Sequence, residues 1–319
     1  MSEVILAVDL GGTRMRAARL DEQLNILQRA EVPTLAAQGP DSVIERMIAL
    51  IREVWPQDGA AVSSIGVSSP GPLNPATGVV LAPPNLPGWH NVPLAERLQQ
   101  ALGVPVYLGN DANVAVLAEV ARGAAQGCKH AIYLTLSTGI GGGVLVDGRL
   151  LLGQEGFAAE VGHMLLVVDD KVTSLEKEAA GLALAGQAWA QLEQGRESLL
   201  YGLAGGDLAR IDGALIGQAA QQGDPLALEI VTRAGRMIGI GIASLLHLFN
   251  PQVIVIGGSV SNLGELLFKP MRAAVEASVI DAGYIQNLRI EKSALGENVS
   301  IIGAAALAQT RGGLLLESS

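Results

Sequence analysis

Asp9-Leu10-Gly11-Gly12-Thr13 sets a carboxylate, two glycines and a hydroxyl between the strand-like runs VILAVDL and RMRAARL. Glycines in a tight turn leave backbone amides sterically open, which suits phosphate oxygens, and Asp9 could hold a metal-bound water beside them. A plain hairpin with Asp9 in an Asx turn would use the same residues. A second glycine-rich turn, Gly139 to Gly143, lies early in the block LTLSTGIGGGVLVDGRLLLGQEGFAAEVGH, which ends on Glu160 and His163. Two such turns, the second followed by Glu and His, point to a nucleotide on one side and a small polar substrate on the other. Gly109-Asn110-Asp111-Ala112-Asn113 joins a strand to a helix. Asp and Asn at that junction cap helices. Alternatively, an ionised Asp111 accepts the proton of a hydroxyl that attacks a phosphoryl group, and an ordinary carboxylate is basic enough for that task.

Glu160 and His163 could be half of a metal site, but no cysteine is near and His90, His130 and His247 are scattered. Hydrogen bonds to hydroxyl groups suit the pair better. Glu176 reads by itself as a solvated helix residue. The Pro-rich PPNLPGW is either structural punctuation or a loop that carries Asn85 to a polar ligand. Gly257-Gly258 closes the apolar run VIVIGG, and offers either close strand–helix packing or a flat surface for an adenine ring. No G-x-x-x-x-G-K-[ST] occurs, so P-loop chemistry is excluded, and Gly139 to Gly143 does not run through G-x-G-x-x-G into a helix, which argues against a dinucleotide fold.

The 319 residues, 49% of them hydrophobic and 16% charged, can bury a large core and favour two domains. Forty glycines exceed what loops need, so some must mark close backbone approaches. A net charge of −10 argues against nucleic acid or an anionic membrane as partner. The single Cys128 rules out an intramolecular disulfide framework. With no leader-like start, and with the apolar run Met237 to Phe249 too short to span a bilayer, a cytoplasmic protein is expected.

The elements that must hold these residues alternate along the chain. VILAVDL, RMRAARL and ILQRAEVP read as strands, and an amphipathic helix DSVIERMIALIREVW follows with Asp41 as its N-cap. The strand SSIGVSS, a long Pro/Gly-rich loop, the helix VPLAERLQQAL, the strand PVYLGND and the helix ANVAVLAEVARGAAQG complete the half. The second half repeats the order: a meander of AIYLTLS, GGGVLVDG and RLLLGQE, with an Asp147-Gly148 hairpin turn, then helical sequence over roughly 175–246. The strand PQVIVIGGSVS, the helix GELLFKPMRAAVEAS, the strand LRIEKSAL and a last helix near 303–310 close it. Each half is near βββαβαβα, the pattern of an internal duplication, and an α/β fold with a ligand cleft between halves is expected.

These residues resemble the ROK family, the bacterial sugar kinases and related repressors of the actin/hexokinase/Hsp70-type ATPase superfamily. The resemblance runs through DLGGTRMRAARL, SSPGPLNPATGVV, PPNLPGW, GNDANVAVLAE, the block 136–163, QGDPLA, PQVIVIGGSV and IIGAAALA, with glycines in the family's places at 139, 141, 143, 153 and 162. It implies a ribonuclease H-like, actin-type two-domain fold with a central cleft. The expected domains are 1–118, completed by a helix at about 302–319, and 119–301. It further implies ATP phosphates on Asp9, Gly11, Gly12, Thr13, Thr138 and Gly139, adenosine beside Gly257 and Gly258, and Mg2+ with the ATP. Sugar contacts are implied for Gly71, Asn85, Asn110, Glu160, His163 and Glu176, with Asp111 as the base. After the Gly-His pair the family usually carries C-x-C-G-x-x-G-C-x-E, whose cysteines bind a structural zinc; here MLLVVDDKVTSLEKEAAG has none, and Ala159 replaces the usual glycine.

The expected activity is therefore ATP-dependent phosphorylation of a hexose, glucose first, by a homodimer without zinc. A kinase for N-acetylmannosamine or another N-acetylhexosamine is the alternative, along with a catalytically weak sugar-binding or regulatory protein. A repressor of this group would carry an N-terminal winged helix, whereas this sequence opens on a strand. Phosphate turns in both halves imply a cleft that closes over its ligands. Sugar should then raise ATP affinity, by about 5- to 150-fold, with the same effect of ATP on sugar. Equal ATP affinities in titration calorimetry with and without saturating sugar would contradict this.

Overall fold

A computed structural model describes residues 3–313. The first half opens with β1 (Glu3–Leu10), β2 (Arg14–Leu20) and β3 (Ile26–Pro33), followed by α1 (Gly39–Glu53) and β4 (Ala61–Ser69). A short hairpin, β5 (Leu73–Asn74) with β6 (Val79–Val80), leads to α2 (Leu94–Leu102), β7 (Val106–Asn110) and α3 (Asp111–Arg122). The second half opens with β8 (Ala131–Leu136), β9 (Ile140–Val146) and β10 (Arg149–Leu150). A hairpin of β11 (Leu165–Val168) and β12 (Lys171–Ser174) then precedes α4 (Leu175–Ala179), α5 (Gly181–Glu193), α6 (Leu199–Leu203), α7 (Gly213–Gln221) and α8 (Pro225–Phe249). The half ends with β13 (Val253–Gly257), α9 (Glu265–Ser278), β14 (Arg289–Lys292) and α10 (Val299–Gln309).

The two five-stranded sheets have orders β3-β2-β1-β4-β7 and β10-β9-β8-β13-β14. Relabelled within each half, both read 3-2-1-4-5, so the chain has the duplicated α/β fold its sequence implies. Asp147 and Gly148 both adopt positive φ, as a primed two-residue hairpin turn requires. Two expectations are corrected. Asp41 is not the cap of α1: the helix starts earlier, with Pro40 preset for its first turn, and Asp41 pairs with Arg97 at 2.8 Å instead. The glycines after Gly139 do not form a turn, because the turn is Ser137-Thr138-Gly139 and Gly141 to Gly143 already lie in β9.

Contacts divide the chain into two units, one of 1–131, 143–159 and 293–319, the other of 132–142 and 160–292. The expected closing helix over 302–319 falls in part on residues 314–319, outside the described residues. In the first unit β1 pairs antiparallel with β2 and parallel with β4, which pairs parallel with β7. Leu6, Val8 and Leu10 of β1 pack with Val43, Ile44, Met47 and Ile51 of α1, giving one face of the sheet its core. Strand alternation sends Asp9 to the opposite face, which α10 covers. That face is built for close approach: a Cβ on Gly66 of β4 would stand 1.7 Å from the carbonyl oxygen of Ala304. One on Gly303 would stand 2.0 Å from the carbonyl oxygen of Val114 in α3.

Helix α3 is anchored at its far end too. Glu119 is fully buried, and its carboxylate accepts from Ala124 N at 2.8 Å and from Ser293 Oγ at 2.5 Å. In the second unit, Gly257 has no room for a side chain against the Tyr133 hydroxyl at 2.0 Å, nor Gly258 against Leu136 O at 2.2 Å. Both glycines therefore sit in close packing contacts.

Gly66→Ala should destabilise the protein by at least about 1–3 kcal/mol, because backbone cannot yield as a side chain does. Gly186, exposed inside α5 with nothing within 4 Å of where a methyl would stand, is the control. Gly186→Ala should stabilise by about 0.5–1 kcal/mol. Denaturant midpoints of both variants check the pair, and a neutral Gly66→Ala would remove the backbone contact from the account.

Candidate active site

In the first unit the candidate residues gather at the carboxyl ends of parallel strands, where open α/β sheets bind ligands. The register pairs Asp9 of β1 with Ser68 of β4, and Ser68 with Gly109 of β7. Asp9 and Gly109 are thus two strand spacings apart, about 10 Å. Asn110 follows at the end of β7, opposite Ser69, and Asp111 opens α3.

Asn110 takes the cap. Its Oδ1 accepts from Asn113 N at 2.7 Å with an extended backbone, so its Nδ2 is the group left to donate to a ligand. Asp111, one residue on, is exposed, and its Oδ1 accepts from Ala112 N at 2.9 Å. The N-cap is thus Asn110, with Asp111 the first residue of the helix. Glycines set its place: a Cβ on Gly143 would stand 2.2 Å from Ala112 O, and one on Gly109 3.0 Å from a Val114 methyl.

The first glycine turn is tied on three sides. Gly11 N donates to Arg14 O at 3.0 Å, while Thr34 donates from N to Thr13 O at 2.8 Å and from Oγ1 to Gly11 O at 2.6 Å. Gly12 lies against Asn85, whose Cβ and O would both be 3.1 Å from an added methyl, so the Pro-rich loop brings Asn85 to the turn. Gly71 begins that loop two residues past the end of β4. Asp9 faces Arg16 across the hairpin, and Arg16 donates Nε at 3.0 Å and Nη2 at 2.6 Å, both to Asp9 Oδ2. Arg16 Nη1 donates to Glu297 O at 2.9 Å. Sequence reading missed Arg16 and Thr34. The first could have been found from hairpin register, since Asp9 and Arg16 are equidistant from the turn; nothing marked Thr34.

In the second unit the turn Ser137-Thr138-Gly139 meets Glu176. Ile140 N donates to Glu176 Oε2 at 2.8 Å, and that oxygen would be 2.5 Å from a methyl on Gly139. Glu176 is therefore not the solvated helix residue it looked like alone. Glu160 and His163 are both exposed and bracket the short 3-10 turn Val161–His163, with His163 N donating to Glu160 O at 3.0 Å. Gly162 between them packs on Ile140 O, which would be 2.1 Å from an added methyl. A cavity of about 480 Å³ extends from Ser137 and Thr138, between Leu182 of α5, Asp212 and Gln218 around α7, and Asn262 beyond β13. Gly257 and Gly258 immediately precede Ser259, which lines it. The cavity falls in the size range of ligand pockets, with apolar walls and a few polar groups. Its α7 residues carried no sequence signal.

The stretch after His163 is the hairpin of β11 and β12, turning at Asp169 and Asp170 with positive φ. It has no thiolate, and among the described residues no group of three or more His, Cys, Asp or Glu could hold a metal ion. The residues present do not fit a zinc site of the family's kind. Ala159, where the family has glycine, sits at φ +65, a left-handed conformation that costs an L-residue about 1–2 kcal/mol. Ala159→Gly should raise unfolding stability by about 1 kcal/mol through relief of that strain. A denaturant midpoint unchanged or lowered in Ala159→Gly would contradict it.

The family model described as ROK family matches residues 5–311. A glucokinase of Thermotoga maritima is 36% identical over 313 residues, covering 96% of this chain and 98% of that protein. The structure of a ROK family glucokinase from Streptomyces griseus, in complex with glucose and AMPPNP, is 32% identical with a TM-score of 0.78, covering 96% of this chain and 99% of that one. The ROK hexokinase of Thermus thermophilus is 34% identical with a TM-score of 0.80, covering 97% of this chain and 98% of that one.

Proposed function

The chain belongs to the ROK family, and on that premise we propose that it is an ATP-dependent hexose kinase that phosphorylates glucose at the 6-hydroxyl. The observation that carries the reading is the junction of β7 with α3. Asn110 satisfies the helix end, and an exposed carboxylate stands beside it at the carboxyl edge of a parallel sheet, two strands from the Asp9–Thr13 turn.

Asp111 takes the proton of the attacking hydroxyl. In a loose phosphoryl transfer the base mostly positions its nucleophile, so no perturbed carboxylate is needed. The Asn110 amide N–H, Asn85, Glu160, His163 and Glu176 hydrogen-bond the other hydroxyls, and Gly71 offers backbone. The Gly11–Thr13 turn and the Thr138–Gly139 turn donate to phosphate oxygens. The cavity behind Thr138 takes the nucleoside. Mg2+ bound with the ATP would supply positive charge that offsets the charge on the phosphates. Asp9 would hold a water of that ion, since both Arg16 bonds fall on Oδ2 and leave Oδ1 to accept.

A fully hydroxylated hexose fits this polar set better than an N-acetyl sugar, whose methyl needs an apolar wall that none of these residues builds. Buried polar groups discriminate strongly because the wrong sugar leaves them unpaired. On this reading the protein works in the cytoplasm as a homodimer; among the described residues no helix is long and apolar enough to cross a membrane.

Asp111→Asn should keep sugar and ATP affinities near those of the wild type while lowering kcat by about 10²–10⁴-fold or more. Equal turnover in the two proteins would remove Asp111 from the mechanism. A kcat/KM for N-acetylmannosamine above that for glucose would overturn the choice of sugar and leave the kinase assignment standing.

A further inference from the structure

The Ser137–Ile140 turn depends on the segment that follows the β11–β12 hairpin. Besides the Ile140–Glu176 bond, Gly181 N donates to Ser137 O at 2.8 Å and Leu182 N to Thr138 O at 3.4 Å. Gly181 must be small, since an added methyl would stand 2.9 Å from Ser137 O. Three bonds from α4 and the start of α5 thus set the shape of a turn read above as a phosphate site.

Helix α4 has only five residues and cannot hold itself. Ser174 Oγ caps it by accepting from Lys177 N at 3.4 Å, and Leu175 N donates to Met164 O at 3.0 Å. Leu175 is fully buried and fills the notch left by Gly241 of α8, 2.8 Å from where a methyl would stand. A charged link joins Glu178 to Arg233 of α8. Arg233 Nη2 donates to Glu178 Oε2, Arg233 Nη1 reaches Glu178 O at 3.5 Å, and Gln187 Nε2 donates to the same carbonyl at 3.0 Å. Glu178 is largely buried in this pair, 13% exposed against 34% for Arg233. A charge-assisted bond of low exposure resists solvent screening better than a surface pair. No thiolate is present to bind a metal in this stretch, so its orientation comes from packing and from this ion pair.

We propose that Arg233, acting through Glu178, is a positioning residue that holds Glu176 against the Ser137–Ile140 turn. It touches neither sugar nor nucleotide. It fixes α4 on the long helix α8, and α4 in turn presents the Glu176 carboxylate to Ile140 N. The proposal rests on the kinase reading for the roles of the turn and of Glu176.

A kinetic and binding cycle tests it, with wild type, Arg233→Met, Glu176→Ala and the double variant. AMPPNP affinity by calorimetry and kcat/KM for glucose are measured in each, beside unfolding midpoints. Arg233→Met should weaken AMPPNP binding and lower kcat/KM by about tenfold in the wild-type background, the size of coupling expected within one network. In the Glu176→Ala background both effects should shrink several-fold, because the carboxylate that Arg233 positions is gone and only the Gly181 and Leu182 bonds still tie the turn to this segment. Should Arg233→Met fail to fold, Glu178→Gln runs the same cycle with little change in volume. Equal factors in both backgrounds would reduce Arg233 to a stabilising residue and overturn the proposal. So would unchanged AMPPNP affinity in the wild-type background. A non-additive AMPPNP cycle without phosphorylation of any hexose would support the positioning role and sink the kinase reading instead.

Discussion

Backbone lying directly on backbone is the contact that the first unit depends on. Helix α10 rests on β4 at Gly66 and on α3 at Gly303, with no room for a methyl group at either crossing. Side chains between those elements would set them apart by a distance that varies with rotamer. Without them, the position of α3 follows from the sheet itself, and so does the position of Asp111 at its first turn. Gly109 and Gly143 add the same constraint at the near end of α3, and the buried carboxylate of Glu119 adds a hydrogen-bonded anchor at the far end. A base that works by orienting its nucleophile needs this kind of fixed placement more than it needs a shifted affinity for protons.

The two units use different means to shape their glycine turns. The Asp9–Thr13 turn is held by Thr34 and by the cross-strand pair of Asp9 with Arg16, all close to the hairpin that contains it. The Ser137–Gly139 turn is held by Glu176 and Gly181, which come from about forty residues later. That difference follows from the insertion of β11, β12 and α4 to α7 into the second half of the duplicated pattern. The first turn is a local structure. The second is only as well ordered as the inserted segment.

Much of this was legible in the sequence. The first three strands agree almost residue for residue, because a continuous apolar run in β1, alternation in β3 and the turns GGT and DEQLN delimit them. The duplication, the Asp147-Gly148 turn and the strand-to-helix junction at Asn110 were legible for the same local reasons. The junction also resolved an alternative that spacing could not: Asn110 is the cap and Asp111 is not. What was illegible is nonlocal. Gly141 to Gly143 look like a turn by composition, yet they lie in β9, and for Gly143 the reason is the approach of Ala112. Glu176 looks solvated until Ile140 N is placed beside it. The β11–β12 hairpin turns on two aspartates with positive φ, a conformation more typical of glycine or asparagine, so nothing announced it. The residues of the cavity, Asp212, Gln218 and Asn262, sit on separate elements that only the fold unites.

The central claim is that a sugar hydroxyl, not water, receives the phosphoryl group. Phosphorus and carbon NMR of a reaction of the purified protein with ATP, Mg2+ and labelled glucose tests it most directly. The account predicts one ADP for each sugar phosphate, with the new phosphoester on the 6-oxygen and no excess inorganic phosphate. Release of inorganic phosphate with unmodified glucose, or a phosphoester on another oxygen, would contradict it.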